Sequence, residues 1–355
     1  MTDVTVNGRF LTRSGPGVNR FALELLRAWV PSHDARNINL AVPSKWKSIQ
    51  SPLPGMALRC GGMLSGHAWE QFELPRSCGE DVLLSLCNTG PLSFKRQLAV
   101  LHDVSAFAFP SAYSRTFRTW YRFLLAGLMR RAAVIATVSK FSADELVRCI
   151  GVRARGIEVI YESGEHILQN RAEPAVIARL GLENSRYVLA VGSLTPNKNL
   201  AGVIAAARLL TDLDVKIVAA GGSYGRVFAD VDLGKSNLVH AGQVSDGELR
   251  ALYEHAECFV FPSFYEGFGL PPLEAMHCGC PVVVSNRSSI PEICGDAAVY
   301  CDPGDPRDIA KQLRKVLTSD SLRDELREAG HMRSRLFSWK RAASKLDEVI
   351  SVSFA

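Results

Sequence analysis

Short apolar runs alternate with amphipathic patterns along the first half of the chain. Apolar residues from Val18 to Trp29 recur at helical spacing after a first short run at 4–6. The other apolar runs predict strands, and longer periodic stretches predict helices at 112–131 and 142–150. The further predicted strands are 38–42, 82–86, 98–101, 133–138 and 157–161. Alternation of this kind is typical of a parallel sheet covered by helices on both faces.

A polar, strand-poor segment at 162–173 predicts a linker, after which the alternation resumes. Helices are predicted at 200–211, 246–255 and 306–318, and strands at 186–191, 215–220, 237–240, 257–262, 281–284 and 298–301. We therefore predict an α/β fold with two doubly wound, Rossmann-like domains that face a central cleft. The predicted domains are 1–165 and 172–336. We expect a helix in 337–355 to pack back toward the first domain.

Composition places the chain among globular proteins of the cell interior. The 355 residues are 47% hydrophobic and 22% charged, and no apolar run approaches the ~20 residues that span a bilayer. The N-terminus does not resemble a signal peptide, so a cytoplasmic location is expected. Nine scattered cysteines, several within apolar runs, predict buried thiols under reducing conditions. Cys278 and Cys280 have no second pair or histidine partner that would complete a zinc site.

Much of the net charge of +5 lies in one segment, 115–131. Five arginines alternate there with aromatic and aliphatic residues: Arg115, Phe117, Arg118, Trp120, Arg122, Phe123, Arg130 and Arg131. The segment could rest on anionic lipid headgroups at the inner face of a membrane. It could equally be a helix that packs its apolar face on the core and leaves its arginines in solvent. No nucleic-acid-binding motif is present.

The stretch 258–285 carries the strongest chemical signal. An apolar run ends at Pro262, a glycine-containing loop follows, and a helix opened by Pro271 and Pro272 comes next. Two glutamates lie seven residues apart, Glu266 in the loop and Glu274 in the predicted first turn of the helix. A strand, loop and helix N-terminus in this order form the usual phosphate-binding edge of an α/β sheet. Two carboxylates there can accept hydrogen bonds from a sugar and from a ribose.

With these residues the chain resembles retaining nucleotide-sugar glycosyltransferases of the GT-B fold, family 4, over nearly its whole length. The glutamate pair is the main block of similarity. Others are Gly15–Arg20, His102–Asp103, Thr137–Ser142 and Val191–Asn199. The opening segments are similar to a subgroup that builds bacterial lipopolysaccharide or exopolysaccharide, often by transferring mannose.

The resemblance implies that 1–165 is an N-terminal acceptor-side domain and that 172–336 binds the nucleotide sugar. It also implies a role for each matching residue. Lys198 would contact the donor diphosphate, with Asn197 nearby. The loop that contains Gly15 and Gly17 would either wrap over the diphosphate or form a gate for the acceptor. Many relatives carry an arginine where this chain has Ser193 or Asn197, so Arg226 is a candidate replacement. His102 would contact the donor sugar or its phosphate.

Around the helix start, the resemblance implies a grip on both ends of the donor. Glu274 would accept hydrogen bonds from the ribose diol, and Glu266 would hold the transferred sugar and favour positive charge at its anomeric carbon. Backbone N–H groups of the loop and helix start would bind the anion. That last group is Gly267, Phe268, Gly269 and Leu270.

The expected activity is transfer of a hexose from a GDP- or UDP-linked donor to a glycan or lipid-linked acceptor, with retention of configuration. No cofactor and no metal are expected, since the acidic pairs Asp212–Asp214 and Asp230–Asp232 resemble loop residues. One alternative is a nucleotide-sugar epimerase of the same architecture. Another is a non-catalytic sugar-binding protein of a polysaccharide assembly complex, which the absent arginine beside Lys198 keeps open.

Overall fold

The computed structural model describes residues 3–12, 17–32, 38–46, 51, 53, 56–110, 113–151, 156–193, 195–222 and 237–354. They form two compact units. The first comprises Met1–Glu162 together with Trp339–Ala355, and the second comprises Ser163–Ser338.

The first unit contains a seven-stranded parallel sheet and helices from both ends of the chain. Its strands are β1 (Val4–Asn7), β2 (Ile38–Pro43), β3 (Ala57–Gly61), β4 (Val82–Ser85), β5 (Gln97–Val100), β6 (Val134–Thr137) and β7 (Glu158–Val159). Its helices are α1 (Gly17–Trp29), α2 (Gly66–Phe72), α3 (Leu74–Cys78), α4 (Ser105–Ala108), α5 (Arg115–Arg131), α6 (Lys140–Ile150) and α14 (Trp339–Phe354).

Strand order in this sheet is β3-β2-β1-β4-β5-β6-β7, with every pairing parallel. All residues of β1, β2, β4 and β5 are buried, as expected for central strands covered on both faces. The chain leaves β1 toward β2 on one side and later returns to β4 on the other. The carboxyl ends of β1 and β4 therefore flank a topological switch point, where doubly wound sheets bind ligands.

The second unit repeats this plan with a six-stranded parallel sheet in the order β10-β9-β8-β11-β12-β13. Its strands are β8 (Tyr187–Val191), β9 (Lys216–Ala220), β10 (Leu238–Gly242), β11 (Cys258–Phe261), β12 (Val282–Ser285) and β13 (Val299–Cys301). Its helices are α7 (Ala175–Arg179), α8 (Leu200–Ala207), α9 (Asp246–His255), α10 (Leu270–His277), α11 (Ile290–Cys294), α12 (Pro306–Leu317) and α13 (Asp320–Ser334). The switch point here lies at the carboxyl ends of β8 and β11.

Two parallel sheets with covering helices confirm the predicted fold class. The predicted strands and helices lie close to the observed bounds, although α8 ends at Ala207, before the predicted residue 211. Strand β3 was not predicted because its burial is mixed and its residues, Ala-Leu-Arg-Cys-Gly, show no clear alternation. Of the cysteines singled out, Cys258 and Cys280 are buried thiols, whereas Cys87 is only partly buried.

The segment predicted as a linker, 162–173, is more ordered than its composition suggests. It contains a 3-10 helix, Glu165–Gln169, in which His166 and Ile167 are buried. The final helix, α14, belongs to the first unit and packs against α1, where the rings of Phe21 and Trp339 meet edge to face at 6.1 Å. Within the described ranges, every helix is too short or too polar to cross a bilayer.

Candidate active site

In the second unit, the switch point brings together the loops that follow β8 and β11. A small cleft lies there, lined by Gly192, Ser193, Lys198 and Pro262 among others. The loop after β8 continues into a 3-10 helix, Pro196–Lys198. This arrangement places the lysine beside the carboxyl end of β11, the edge at which doubly wound sheets bind their ligands.

Asn199 fixes the direction of the lysine-bearing turn. Its backbone is left-handed, with φ of 55°, and its side chain caps α8 by accepting from the N–H of Gly202 at 3.2 Å. The amide nitrogen of the same side chain donates to the carbonyls of Pro262 and Pro303, at 3.1 and 2.7 Å. One buried side chain therefore joins the loops after β8, β11 and β13.

The neighbouring residue Asn197, a predicted donor-site residue, makes a second connection between the same loops. Its carbonyl accepts from the N–H of Phe264 at 2.7 Å, and its side-chain amide donates to the carbonyl of Tyr265 at 3.3 Å. Asn197 therefore holds the Glu266 loop in place through backbone contacts. Its predicted contact with the donor stays a prediction.

Lys198 and Glu266 form an ion pair, with the ammonium nitrogen 2.6 Å from Oε1 of the carboxylate. The hydroxyl of Ser263 donates to the same oxygen at 2.6 Å. The lysine ammonium also lies 5.3 Å from the centre of the Phe261 ring, within the range of a cation–π contact. The sequence predicted both charged residues for the site but not that they contact each other.

The loop after Glu266 is held by two serines that follow β12. The N–H of Glu266 donates to Oγ of Ser288 at 3.1 Å, and Oγ of Ser289 donates to the carbonyls of Glu266 and Phe268 at 3.0 and 2.7 Å. Gly269 has φ of 106°, and a Cβ there would lie 2.6 Å from Cδ1 of Ile290. Only glycine fits this turn without strain, which explains the residue at this position.

Helix α10 begins at Leu270 and not at the prolines, so Glu274 is its fifth residue. The prediction that Glu274 lies in the first turn was therefore wrong by one residue. Pro271 and Pro272 have no N–H, so two of the first four positions cannot donate to an anion. The predicted backbone donors, Gly267 to Leu270, precede the two prolines and keep their N–H groups. Phe268, another predicted donor residue, buries its ring against Phe337 at a centroid distance of 6.0 Å.

Glu274 is buried, and its two carboxylate oxygens contact different protein donors. Oε1 lies 3.0 Å from Nε2 of His166, and the hydroxyl of Tyr253 donates to Oε2 at 3.2 Å. Burial, with the adjacent Glu274 charge, raises the pKa of Tyr253 well above its ordinary value, so the phenol remains a donor. A Cβ on Gly164 would lie 2.6 Å from the backbone nitrogen of Glu274, which shows how closely the segment before His166 approaches α10.

His102 belongs to the first unit, at the carboxyl end of β5, and is 4% exposed. Its Nε2 lies 2.9 Å from the carbonyl of Leu86 and its Nδ1 lies 3.3 Å from Oε1 of Glu162. Because a carbonyl only accepts, Nε2 carries a proton, and the contact with Glu162 requires a second proton between the two groups. Direct contact of a ring nitrogen with a donor, as the resemblance implies, would require one of these hydrogen bonds to break.

The remaining predicted residues are less informative. Gly17 is the first residue of α1, and a Cβ there would meet no atom within 4 Å. Asp212 forms an ion pair with Arg314, with oxygen–nitrogen distances of 2.5 and 2.7 Å. Other residues singled out lie outside the described ranges, namely Gly15, Arg226, Asp230 and Asp232.

Apart from Lys198, the sequence did not predict the partners of the two glutamates. Ser263, Tyr253 and His166 lie 3, 21 and 108 residues from the glutamates they contact. Ser263 could have been predicted from the sequence, since a hydroxyl three residues before a site carboxylate is a natural donor. His166 was hidden because it lies in a segment whose polarity predicted a linker.

Comparison with known proteins identifies the family. Residues 174–333 match the family described as glycosyl transferases group 1. The O-antigen chain mannosyltransferase B of Escherichia coli is 34% identical over 269 residues, which cover 72% of this chain and 70% of that protein. The O-antigen chain mannosyltransferase RfbU of Salmonella typhimurium is 30% identical over 234 residues, which cover 64% of this chain and 63% of RfbU.

Among solved structures, HepE from Anabaena in complex with UDP and glucose superposes with a TM-score of 0.74. The superposition covers 99% of both chains at 19% sequence identity, so it concerns the fold alone. The fold and the extended match with mannosyltransferase B agree with the resemblance inferred from the spaced glutamates. The chain belongs to the group 1 glycosyl transferases.

Proposed function

We propose that this protein transfers a hexose from a nucleotide diphosphate sugar to a glycan or lipid-linked acceptor in polysaccharide biosynthesis. Mannose is the first sugar to test, because the two relatives described above are named O-antigen chain mannosyltransferases. The observation that carries the proposal is the cluster of Lys198, Ser263 and Glu266 at the carboxyl ends of β8 and β11. It offers a cation and a carboxylate at the edge where such sheets bind phosphorylated ligands.

The second unit is proposed to bind the donor. Lys198 would exchange its contact with Glu266 for one with the diphosphate, and Glu274 would accept hydrogen bonds from the ribose. The presence of UDP and glucose in the HepE structure supports a nucleotide sugar as the ligand of this fold. The base in this protein is proposed to be uracil or guanine, and no cofactor is required.

We infer a retaining, metal-independent reaction. In this mechanism Glu266 favours positive charge at the anomeric carbon as the bond to the diphosphate breaks, and Lys198 stabilises the departing negative charge. The acceptor hydroxyl attacks from the face that the diphosphate leaves, and a phosphate oxygen takes its proton. The position of Glu266 between a lysine and a serine hydroxyl supports an electrostatic role for this carboxylate.

The decisive experiment incubates the purified protein with UDP- and GDP-linked hexoses and a panel of mannose-terminated acceptors. Product linkage is assigned by NMR, and free nucleotide is measured in parallel. Retained configuration with activity in EDTA is expected. Loss of activity in EDTA with rescue by manganese would overturn metal independence. Interconversion of donor sugars without nucleotide release would favour the epimerase, and neither reaction would favour a non-catalytic protein.

We also propose peripheral contact of α5 with anionic membranes, through which a lipid-linked acceptor would be reached. Phe123 and Trp120 on this helix are 60% and 37% exposed, and the helix carries five arginines. Exposed aromatics combined with cationic side chains suit the interface of an anionic bilayer. Flotation with phosphatidylglycerol vesicles at low salt tests the contact. Failure of the wild-type protein to float would rule out this membrane contact.

A further inference from the structure

The turn that follows β12 holds Glu266 by its backbone on both sides of Cα. Oγ of Ser288 accepts from the N–H of Glu266 at 3.1 Å, and Oγ of Ser289 donates to the carbonyl of Glu266 at 3.0 Å. The two serines are adjacent in the chain and lie 22 and 23 residues from the glutamate. Because the two planar peptide groups that flank this Cα are both held, the direction of its side chain is held as well.

The hydroxyl of Ser288 has a defined direction. It donates to the carbonyl of Arg287 at 2.7 Å, and a carbonyl only accepts, so the hydroxyl proton is used there. The lone pairs of the same oxygen then accept from Glu266. The N–H of Arg287 in turn donates to Oγ of Ser285 at 3.1 Å. The acceptor for Glu266 is therefore oriented by contacts within the turn itself.

Ser288 has a backbone conformation that serine rarely adopts. Its φ is 58°, in the left-handed region. Among the described residues, the others with positive φ are glycines and the asparagines Asn88 and Asn199, the residue types that tolerate this region best. A glycine at 288 would relieve the strain but would have no hydroxyl. The turn thus keeps a strained residue whose side chain contacts Glu266.

Ser289 also departs from what its position favours. It precedes α11 as the N-cap residue, where a serine oxygen normally accepts from the first turn of the helix. In the part of the chain that the structure describes, its side chain makes no such hydrogen bond. The fully buried hydroxyl instead donates to the carbonyls of Glu266 and Phe268, the latter at 2.7 Å. The side chain therefore stabilises the Glu266 loop and not its own helix.

We propose that Ser288 and Ser289, the serine clamp, are positioning residues for Glu266 and orient its carboxylate toward the anomeric carbon of the donor sugar. The role of that carboxylate rests on the proposed function. Two adjacent residues depart from local preference and both contact the same glutamate, which one positioning role explains together. A turn that only joined β12 to α11 would be more stable with glycine at 288.

The serine clamp matters most once a donor is bound. In the structure the carboxylate is also held through its side chain, by Lys198 and Ser263, each 2.6 Å from Oε1. In the proposed reaction the lysine contacts the diphosphate, so Ser263 and the backbone contacts remain to hold the glutamate. Because small displacements of a reacting group lower rates steeply, loss of the backbone contacts is expected to lower kcat more than donor affinity.

Ser288→Gly and Ser288→Ala separate the hydroxyl from the strain. Both remove the oxygen that accepts from Glu266, but only alanine keeps a side chain in the left-handed region. The glycine variant is therefore expected to melt about 2–4 °C above the alanine variant. In both variants kcat for sugar transfer is expected to fall about tenfold, with donor KM changed by less than about twofold.

The two variants together decide between positioning and structure. If only the backbone conformation mattered, Ser288→Gly would keep the wild-type kcat and Ser288→Ala would lose activity together with stability. That result, or wild-type kcat in both variants, would overturn the proposal. A rise in donor KM as large as the fall in kcat would also overturn it, because it would show a general loosening of the donor site.

Ser289→Ala has a matched control in Ser319→Ala. Both are N-cap serines in the second unit, but the hydroxyl of Ser319 caps its own helix, α13, by accepting from the N–H of Leu322 at 3.2 Å. Both variants are expected to lose thermal stability, whereas kcat is expected to fall about tenfold in Ser289→Ala alone. An unchanged kcat in Ser289→Ala, or an equal fall in both variants, would overturn the role of Ser289. If circular dichroism shows that Ser289→Ala does not fold, the Ser288 variants decide alone.

Hydrogen exchange measures the serine clamp without an assay of activity. The N–H of Glu266 donates to Ser288, so its exchange with deuterium is expected to be about tenfold faster in Ser288→Gly and Ser288→Ala than in the wild-type protein. Mass spectrometry of a peptide that contains residues 264–267 provides the measurement. An unchanged exchange rate would show that the hydroxyl does not hold this amide, which would overturn the proposal.

Failure of the serine clamp and failure of the proposed function give different results. A wild-type protein that transfers no sugar would overturn the proposed function, and the positioning role with it. Sugar transfer by the wild-type protein, with kcat retained in the Ser288 and Ser289 variants, would overturn the positioning role and leave the proposed function standing.

Discussion

The ammonium nitrogen of Lys198 lies 2.6 Å from Oε1 of Glu266, although 68 residues separate them in the chain. Their side chains are 22% and 11% exposed, so the pair is shielded from solvent but reachable. With no donor bound, the cation and the carboxylate neutralise each other. A diphosphate that replaces the carboxylate on the lysine would release Glu266 toward the sugar, which couples donor binding to the charge of the site.

Lys198→Met tests the cation. The variant retains an unbranched side chain but loses the charge-assisted hydrogen bond, so we expect nucleoside diphosphate to bind about 10- to 100-fold more weakly. Isothermal titration calorimetry with UDP and GDP provides the measurement. Lys311→Met, an exposed lysine on α12, is the matched control and should bind as the wild-type protein does. Equal dissociation constants in both variants would separate Lys198 from the diphosphate.

Glu266→Gln tests the carboxylate. The amide keeps the size of the side chain but cannot stabilise positive charge, so we expect kcat to fall about 100-fold or more while donor affinity changes little. Steady-state kinetics with varied donor separates the two quantities. Glu325→Gln, on the exposed face of α13, controls for loss of a surface charge. A rise in KM with unchanged kcat would show that Glu266 only binds the donor.

His166→Ala tests whether the histidine positions Glu274. Its Nε2 lies 3.0 Å from Oε1 of that carboxylate, and without it the Tyr253 hydroxyl remains the other contact. We expect donor KM to rise several-fold with kcat nearly unchanged, and the unfolding free energy to fall by about 1–3 kcal/mol. His166→Gln, which can still donate, should restore much of the donor KM. Loss of stability in both variants with unchanged KM would make the contact purely structural. Glu274→Ala is expected to weaken donor binding more than either.

The order of elements and the two glutamates could be predicted from the sequence because they depend on local patterns. Buried parallel strands give continuous apolar runs. The loop from Glu266 to Gly269 has two glycines within four residues, a local pattern that is visible in the sequence. Contacts between distant segments could not be predicted from the sequence. The Lys198–Glu266 pair depends on strand order at the switch point, which the alternation of strands and helices does not determine.

The ion pair between Arg9 and Glu70 in the first unit shows the same limit. Arg9 lies two residues after the end of β1, yet its partner Glu70 lies 61 residues later on α2, a helix that the periodicity did not predict. Only the structure brings arginine and glutamate to one place. The helix start at Leu270 was missed for a local reason, since prolines favour the first positions of a helix but do not fix which residue is first.

His277, the last residue of α10, lies beside the proposed ribose site and predicts an acid-sensitive fold. Burial, with the nearby His166 and His331, lowers the pKa of His277 to about 4, although Glu274 acts in the opposite direction. Its Nε2 is buried and has no hydrogen-bond partner in the part of the chain that the structure describes. The folded protein therefore prefers a neutral imidazole at this position.

The direction of the pH effect on stability follows from the protonation of His277 in the folded and unfolded states. Well above pH 6.5 His277 is neutral in both states and does not make the stability depend on pH. Below it the unfolded chain binds a proton that the folded chain does not accept until about pH 4, so stability falls across that window by at most about 3 kcal/mol. His277→Gln cannot bind this proton. Urea unfolding at pH 7.5 and 4.5 should show a smaller loss for His277→Gln than for the wild-type protein, while His255→Gln should follow the wild type. Parallel losses in all three proteins would mean that His277 is not the group responsible.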